Sequence, residues 1–144
     1  MFLSLVVCFL PAKLSGPIAF HALLDGHFTT TKEEQTLVFK NIETNLGGGY
    51  DSSTGVFTAP VTGLYFFAAS AVALKCDYEN KSLIGLNYKT RLLAVSVTDG
   101  TACTVQGTIK VSAGQKVWAC SYSKGSVFVA NITSFTGMLV LPDL

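Results

Sequence analysis

The run from Leu64 to Leu74, Leu-Tyr-Phe-Phe-Ala-Ala-Ser-Ala-Val-Ala-Leu, is apolar on both faces of an extended chain except at Ser70. An antiparallel strand of that kind needs cover on both sides, and a two-layer sandwich provides only one. The second cover comes either from another subunit or from the chain's own loops, and another subunit is the simpler source. Met138-Leu139-Val140-Leu141 has the same character. Burying a Phe or Leu side chain contributes roughly 1.5–3 kcal/mol, so a few outward residues per subunit suffice to hold an oligomer. The segment from Cys103 to Ile109 differs, with Val105, Gly107 and Ile109 alternating with Thr104, Gln106 and Thr108, which gives that strand a wet face.

The rest of the chain has no sustained helical period. Short β-rich runs recur between Gly, Asp, Asn and Ser clusters, as in sandwiches and barrels. The pattern predicts strands at Pro17 to Leu24, Thr36 to Lys40, Gly63 to Leu74, Leu83 to Tyr88, Leu92 to Val97, Thr101 to Lys110, Lys116 to Tyr122 and Ser134 to Leu141. Turns are expected at Gly47-Gly48-Gly49, Asp51 to Gly55, Asp99-Gly100, Ser112-Ala113-Gly114 and Ser123 to Ser126. With 144 residues there is room for one all-β domain. The charged share, 13%, is about half that of an ordinary soluble domain, so part of the surface is expected to be covered. A net charge of +1 without a Lys or Arg cluster leaves no footprint for nucleic acid. No segment reaches the roughly 20 apolar residues of a membrane-spanning helix, and membrane insertion is not expected.

Residues 1–16 begin with the apolar stretch Met1 to Ala12, which fits the core of a signal peptide with a cut after Ala12 or Gly16, or else a buried first strand. The first alternative makes the protein secreted and leaves residues 17–144 as the mature domain. It also removes Cys8 and leaves Cys76, Cys103 and Cys120, an odd number that predicts one bridge and one free thiol. No Cys-x-x-Cys pair supports zinc. Asn80-Lys81-Ser82 and Asn131-Ile132-Thr133 are N-glycosylation acceptor sequences.

From Phe39 the spacing of Asn45, Tyr50, Phe57, Gly63, Tyr65 and Phe67 resembles the signature of the complement C1q globular domain. Ile18-Ala19-Phe20-His21-Ala22, Gly55-Val56-Phe57-Thr58-Ala59-Pro60 and Phe135-Thr136-Gly137-Met138-Leu139 agree with it, so the resemblance runs from about Pro17 to Leu144. It implies a ten-stranded jelly-roll β-sandwich, related in fold to tumour necrosis factor and assembled as a homotrimer through its inner sheet. The motif residues have structural chemistry: aromatics to fill a core, Gly63 to admit a close backbone, Pro60 to fix a turn. Ala69 departs from the pattern, where an aromatic is usual, so its space must be filled from elsewhere or left smaller. Gln115 stands where many relatives carry an Asp that helps hold calcium, and a neutral amide is a weak ligand for a hard cation, so no metal or other cofactor is expected. In this family the strand ending near Leu74 neighbours the one starting near Thr101, which implies a Cys76–Cys103 disulfide with Cys120 buried and free. Cys103 with Cys120 is the alternative.

No catalytic residues are expected. His21 and His27 fall in no nucleophile or metal arrangement, His21 reading as a packed strand residue and His27 as a loop residue. No Gly-x-Ser-x-Gly, phosphate-binding loop or paired carboxylates occur. The resemblance points to a lectin-like protein that recognises microbial or glycan surfaces in innate immunity, with trimeric avidity. The alternatives are a trimeric receptor ligand or synaptic organiser of the tumour necrosis factor or cerebellin kind, and a structural extracellular component. Tyr78, Tyr88, Arg91, Tyr122 and Lys124 sit near strand ends and are candidate contacts. Each of them also fits ordinary surface or core packing, and Trp118 fits packing at the sandwich edge better than stacking on a sugar.

Overall fold

The structure, a computed structural model, describes residues 16–75, 82–89, 91–98 and 102–143, with the backbone alone at 75 and 91–98. Fourteen strands and no helix lie among them. In chain order they are β1 (Ala19–Leu23), β2 (Phe28–Thr29), β3 (Gln35–Thr36), β4 (Asn41–Leu46), β5 (Tyr50–Asp51), β6 (Val56–Thr58) and β7 (Gly63–Ala71). There follow β8 (Ala73–Lys75), β9 (Ser82–Tyr88), β10 (Arg91–Thr98), β11 (Cys103–Val111), β12 (Lys116–Ser121), β13 (Val127–Phe128) and β14 (Ser134–Pro142).

A five-stranded sheet, β11-β7-β14-β1-β4, faces a six-stranded one, β10-β9-β12-β6-β5 with β3 also paired to β12, and a small sheet β2-β13-β8 closes one end. All pairings are antiparallel, the arrangement of a jelly roll.

The apolar run predicted as one strand from Gly63 to Leu74 divides at Val72. Its carbonyl accepts the Val129 N–H at 2.9 Å, and the chain then leaves β11 to pair with β13 as β8. The strand predicted at Thr36 to Lys40 is also corrected. Gln35–Thr36 pairs with β12 and Leu37 N–H still donates to Ala119 O of that strand, but pairing stops there because the Phe39 N–H and carbonyl are taken by the Tyr50 phenol.

The core between the two large sheets is a stack of rings. Phe20 lies 5.0 Å from both Tyr50 and Phe57, nearly parallel to each, and Phe135 meets it edge-on at 4.8 Å. Phe135 is also the cross-strand partner of Ala69 and reaches the rings of Phe39 and Phe67. The aromatic that Ala69 does not supply is thus replaced from the neighbouring strand, and Ala69 itself is fully buried. Two glycines let backbones and rings approach closely. A Cβ on Gly63 would stand 2.6 Å from Leu141 O, and one on Gly137 would stand 2.5 Å from the Phe20 ring.

Candidate functional surfaces

The motif residues are spent on the fold. Asn45 uses its amide as a piece of backbone: Nδ2 donates to Tyr50 O at 2.9 Å, while Oδ1 accepts the Tyr50 N–H at 3.2 Å, spanning the turn at Gly47 to Gly49. The Tyr50 phenol in turn donates to Phe39 O at 2.7 Å and accepts the Phe39 N–H at 3.0 Å. Burial pushes that phenol up to about 12. Phe57, Tyr65 and Phe67 pack ring against ring in the core.

The outward face of the five-stranded sheet is graded from one end to the other. Side chains on β7 alternate between buried and half-buried, so Leu64, Phe66, Ala68 and Ser70 point away from the core. In register across the sheet, Thr108, Phe66, Met138, Ala19 and Leu46 form one row, and Val140 and Leu141 lie beyond it. Met138, Val140 and Leu141 are 45%, 54% and 62% exposed, and no described loop of the chain roofs them. The next row is Gln106, Ala68, Thr136, His21 and Thr44. Beyond that, Ser70 and Thr104 join hydroxyls at 2.9 Å. One pole of the face is therefore apolar and the other hydroxylated.

At the hydroxylated pole, the segment after β12 is locked from within. Thr30 Oγ1 donates to Ser123 O and accepts the Ser126 N–H, Ser82 Oγ donates to Ser126 Oγ, and Ser123 Oγ accepts the Leu83 N–H. Buried hydroxyls satisfied in this way hold a turn rigidly. The turn presents exposed Lys124 beside half-buried Tyr122. Tyr122 accepts a hydrogen bond from Asn87 Nδ2, and burial raises its phenol against that bond. Asn87, missed in the sequence, is signalled there only as a lone amide in an apolar strand, and its Oδ1 is buried without a partner.

The other expected contacts fare differently. Tyr88 is 6% exposed and belongs to the core, so its ring is not a surface contact. Arg91 opposes Tyr88 in the β9–β10 ladder. Tyr78 lies outside the described residues, as do Asn80 and Cys76. Trp118 is half-buried on the outward face of the six-stranded sheet, between Val56 and Asn87. His21 sits half-buried on β1, and His27 is in a loop, where Nδ1 accepts the Ala130 N–H at 3.0 Å. His27 also lines a cleft of about 260 Å³ with Asp25, Phe28 and Lys40. Asn131 is exposed.

Cys103 opposes Ala71, the last residue of β7, and packs against the core. Cys120 is buried with a free thiol in the other large sheet, and it alternates with the core residues Val117 and Ala119, so it faces away from Cys103. That geometry removes the Cys103–Cys120 alternative. Burial pushes the Cys120 thiol up to about 11, with Glu34 adding to the shift. Among the described residues no three His, Cys, Asp or Glu side chains gather to hold a metal ion, and no helix is long and apolar enough to cross a membrane.

The antiparallel jelly roll with its motif-built core corresponds to a known family, whose profile, "C1q domain", matches residues 19–140. The chain belongs to the C1q domain family. The mouse Complement C1q tumor necrosis factor-related protein 3 is 34% identical over 104 residues, which cover 70% of this chain and 42% of that relative. The chain therefore spans under half of that C1q-domain protein. Among solved structures, the globular domain of zebrafish Complement 1qA superposes with a TM-score of 0.66 at 18% identity, covering 88% of this chain and 99% of that one. Murine APRIL superposes with a TM-score of 0.64 at 10% identity, covering 88% and 100%. At those identities the likeness shows the shared fold.

Proposed function

We propose that this C1q-domain protein is a secreted, non-enzymatic homotrimer that recognises microbial or glycan surfaces in the manner of a lectin. The carrying observation is the graded outward face of the five-stranded sheet. Its exposed Met138, Val140 and Leu141 with half-buried Phe66 form an apolar patch on a monomer, and such patches mark interfaces. Closing that face between three copies leaves the Tyr122–Lys124 rim of each copy open. A phenol ring and an ammonium group beside a rigid turn are chemistry suited to a sugar: apolar contact for its carbon face and hydrogen bonds for its hydroxyls. Three weak sites on one rigid body bind a repetitive surface far more tightly than one.

The test is a glycan array probed with the purified protein, alongside Y122A and K124A. Binding to a defined set of glycans, lost in the double variant, is the expected result. An empty array together with saturable binding to a single cell-surface protein would replace this reading with that of a trimeric receptor ligand. The Cys76–Cys103 bridge belongs to the same proposal, since β7 and β11 bring Cys103 to the end of the strand that leads toward Cys76. Peptide mapping without reductant is expected to recover the two joined.

A further inference from the structure

Among the described residues, the buried Ser and Thr hydroxyls have partners with one exception. Those of Thr30, Ser82, Ser121, Ser123 and Ser126 donate to or accept from named groups. Thr133 Oγ1 is fully buried and has none. The backbone of Thr133 is well used, its N–H donating to Val129 O and its carbonyl accepting the Leu24 N–H at 3.0 Å, but a valine at this position would make the same bonds and fill the same space. An unpaired buried hydroxyl weakens a fold. The fold gains nothing from this one.

Thr133 is also the third residue of Asn131-Ile132-Thr133. Asn131 is exposed, in the left-handed region at φ 65°, with its N–H bonded to Leu24 O at 3.0 Å. The enzyme that transfers sugar to such a sequence must reach both the Asn amide and the hydroxyl two residues on. In the folded domain the first is accessible and the second is not. We propose that Asn131 is a glycosylation site filled only before residues 129–133 dock against the end of β1, and that the Thr133 hydroxyl serves this step and not the fold. In the step, Asn131 Nδ2 forms a bond to C1 of an oligosaccharide carried on a lipid pyrophosphate. The C1–O bond to pyrophosphate breaks, and the amide proton passes to the transferase's base. The glycan would project beside Ile132, which is 55% exposed, at the pole away from Leu141, and would leave the apolar end of the sheet free.

This inference rests on the proposed secretory route, so the test places a strong secretory leader ahead of the full chain, making its outcome independent of whether residues 1–16 export it. With N80Q silencing the other acceptor, translation in the presence of microsomes is expected to give one glycosidase-sensitive mass shift. The shift should persist in T133S and vanish in N131Q and T133V. Folded protein offered detergent-solubilised transferase and lipid-linked donor should gain no sugar, whereas the urea-unfolded chain, diluted into the same mixture, should. Unglycosylated T133V made in bacteria should show an unfolding equilibrium constant about tenfold below that of the wild type in urea, a gain N131Q does not share. An unmodified leader-bearing chain, sugar added to the folded protein, or T133V no more stable than wild type would each overturn the proposal.

Discussion

Tyr50 carries more of the fold than its place in a spacing pattern conveys, because one phenol satisfies both backbone groups of Phe39. Y50F leaves a buried donor and a buried acceptor unpaired and is expected to lower stability by about 1–3 kcal/mol, read by urea unfolding. The same phenol makes a pH prediction. Its proton is held more tightly in the folded state, with the value raised from 10.0 to about 12, so its contribution is complete below pH 10 and is lost as pH rises toward 12. Y50F should therefore show a shallower alkaline loss of stability than wild type over that window. Cys120, raised from 9.0 to about 11, should react with iodoacetamide at pH 8 far more slowly in the folded protein than in urea. At this scale the sequence made the positions of Asn45, Tyr50 and Phe39 recognisable but not their bonds. Spacing along a chain does not say that a phenol folds back across a turn to a residue that precedes it.

Strands were legible where their side chains declare two environments. β7, β11 and β14 stood out because their alternation, or its absence, reflects what lies on each side of the sheet. β4 was missed, since Asn-Ile-Glu-Thr-Asn-Leu is mostly exposed at the edge of its sheet and is held there by its ladder to β1. Apolar side chains do not mark such a strand. Phe39 misleads in the opposite sense: it is fully buried, yet its N–H and carbonyl serve the Tyr50 phenol and not a continuing ladder. Where rings and backbone interlock, tolerance is narrow. G137A would drive a methyl group against Phe20 and Phe67, and its expected cost is about 1–3 kcal/mol by thermal or urea unfolding.

For the whole molecule, the graded sheet face is the feature that separates assembly from stability. M138E places a carboxylate in the proposed seam while leaving a side chain that is already 45% exposed in the protomer. Light scattering should show loss of the trimer, with the protomer's own stability changed by no more than about 0.5 kcal/mol. A trimer that survives this change at micromolar concentration would mean that another face joins the subunits. The half-apolar outward face of β7 was readable from Leu64 to Leu74, and the jelly roll from the spacing of Phe39 to Phe67. The rim was not, because Asn87 and Tyr122 are far apart in sequence and meet only when β9 and β12 pair. The ladders also fix where the described chain enters and leaves. Leu139 N–H bonds to Ile18 O and Asp143 N–H to Thr62 O, so both ends sit together beside Leu141, while Tyr122 to Ser126 occupy the far pole. Anything attached directly at Gly16 or Asp143, whether a tag, a linker or a solid support, therefore hangs from the base of the molecule, and three copies standing side by side would all turn the same crown outward.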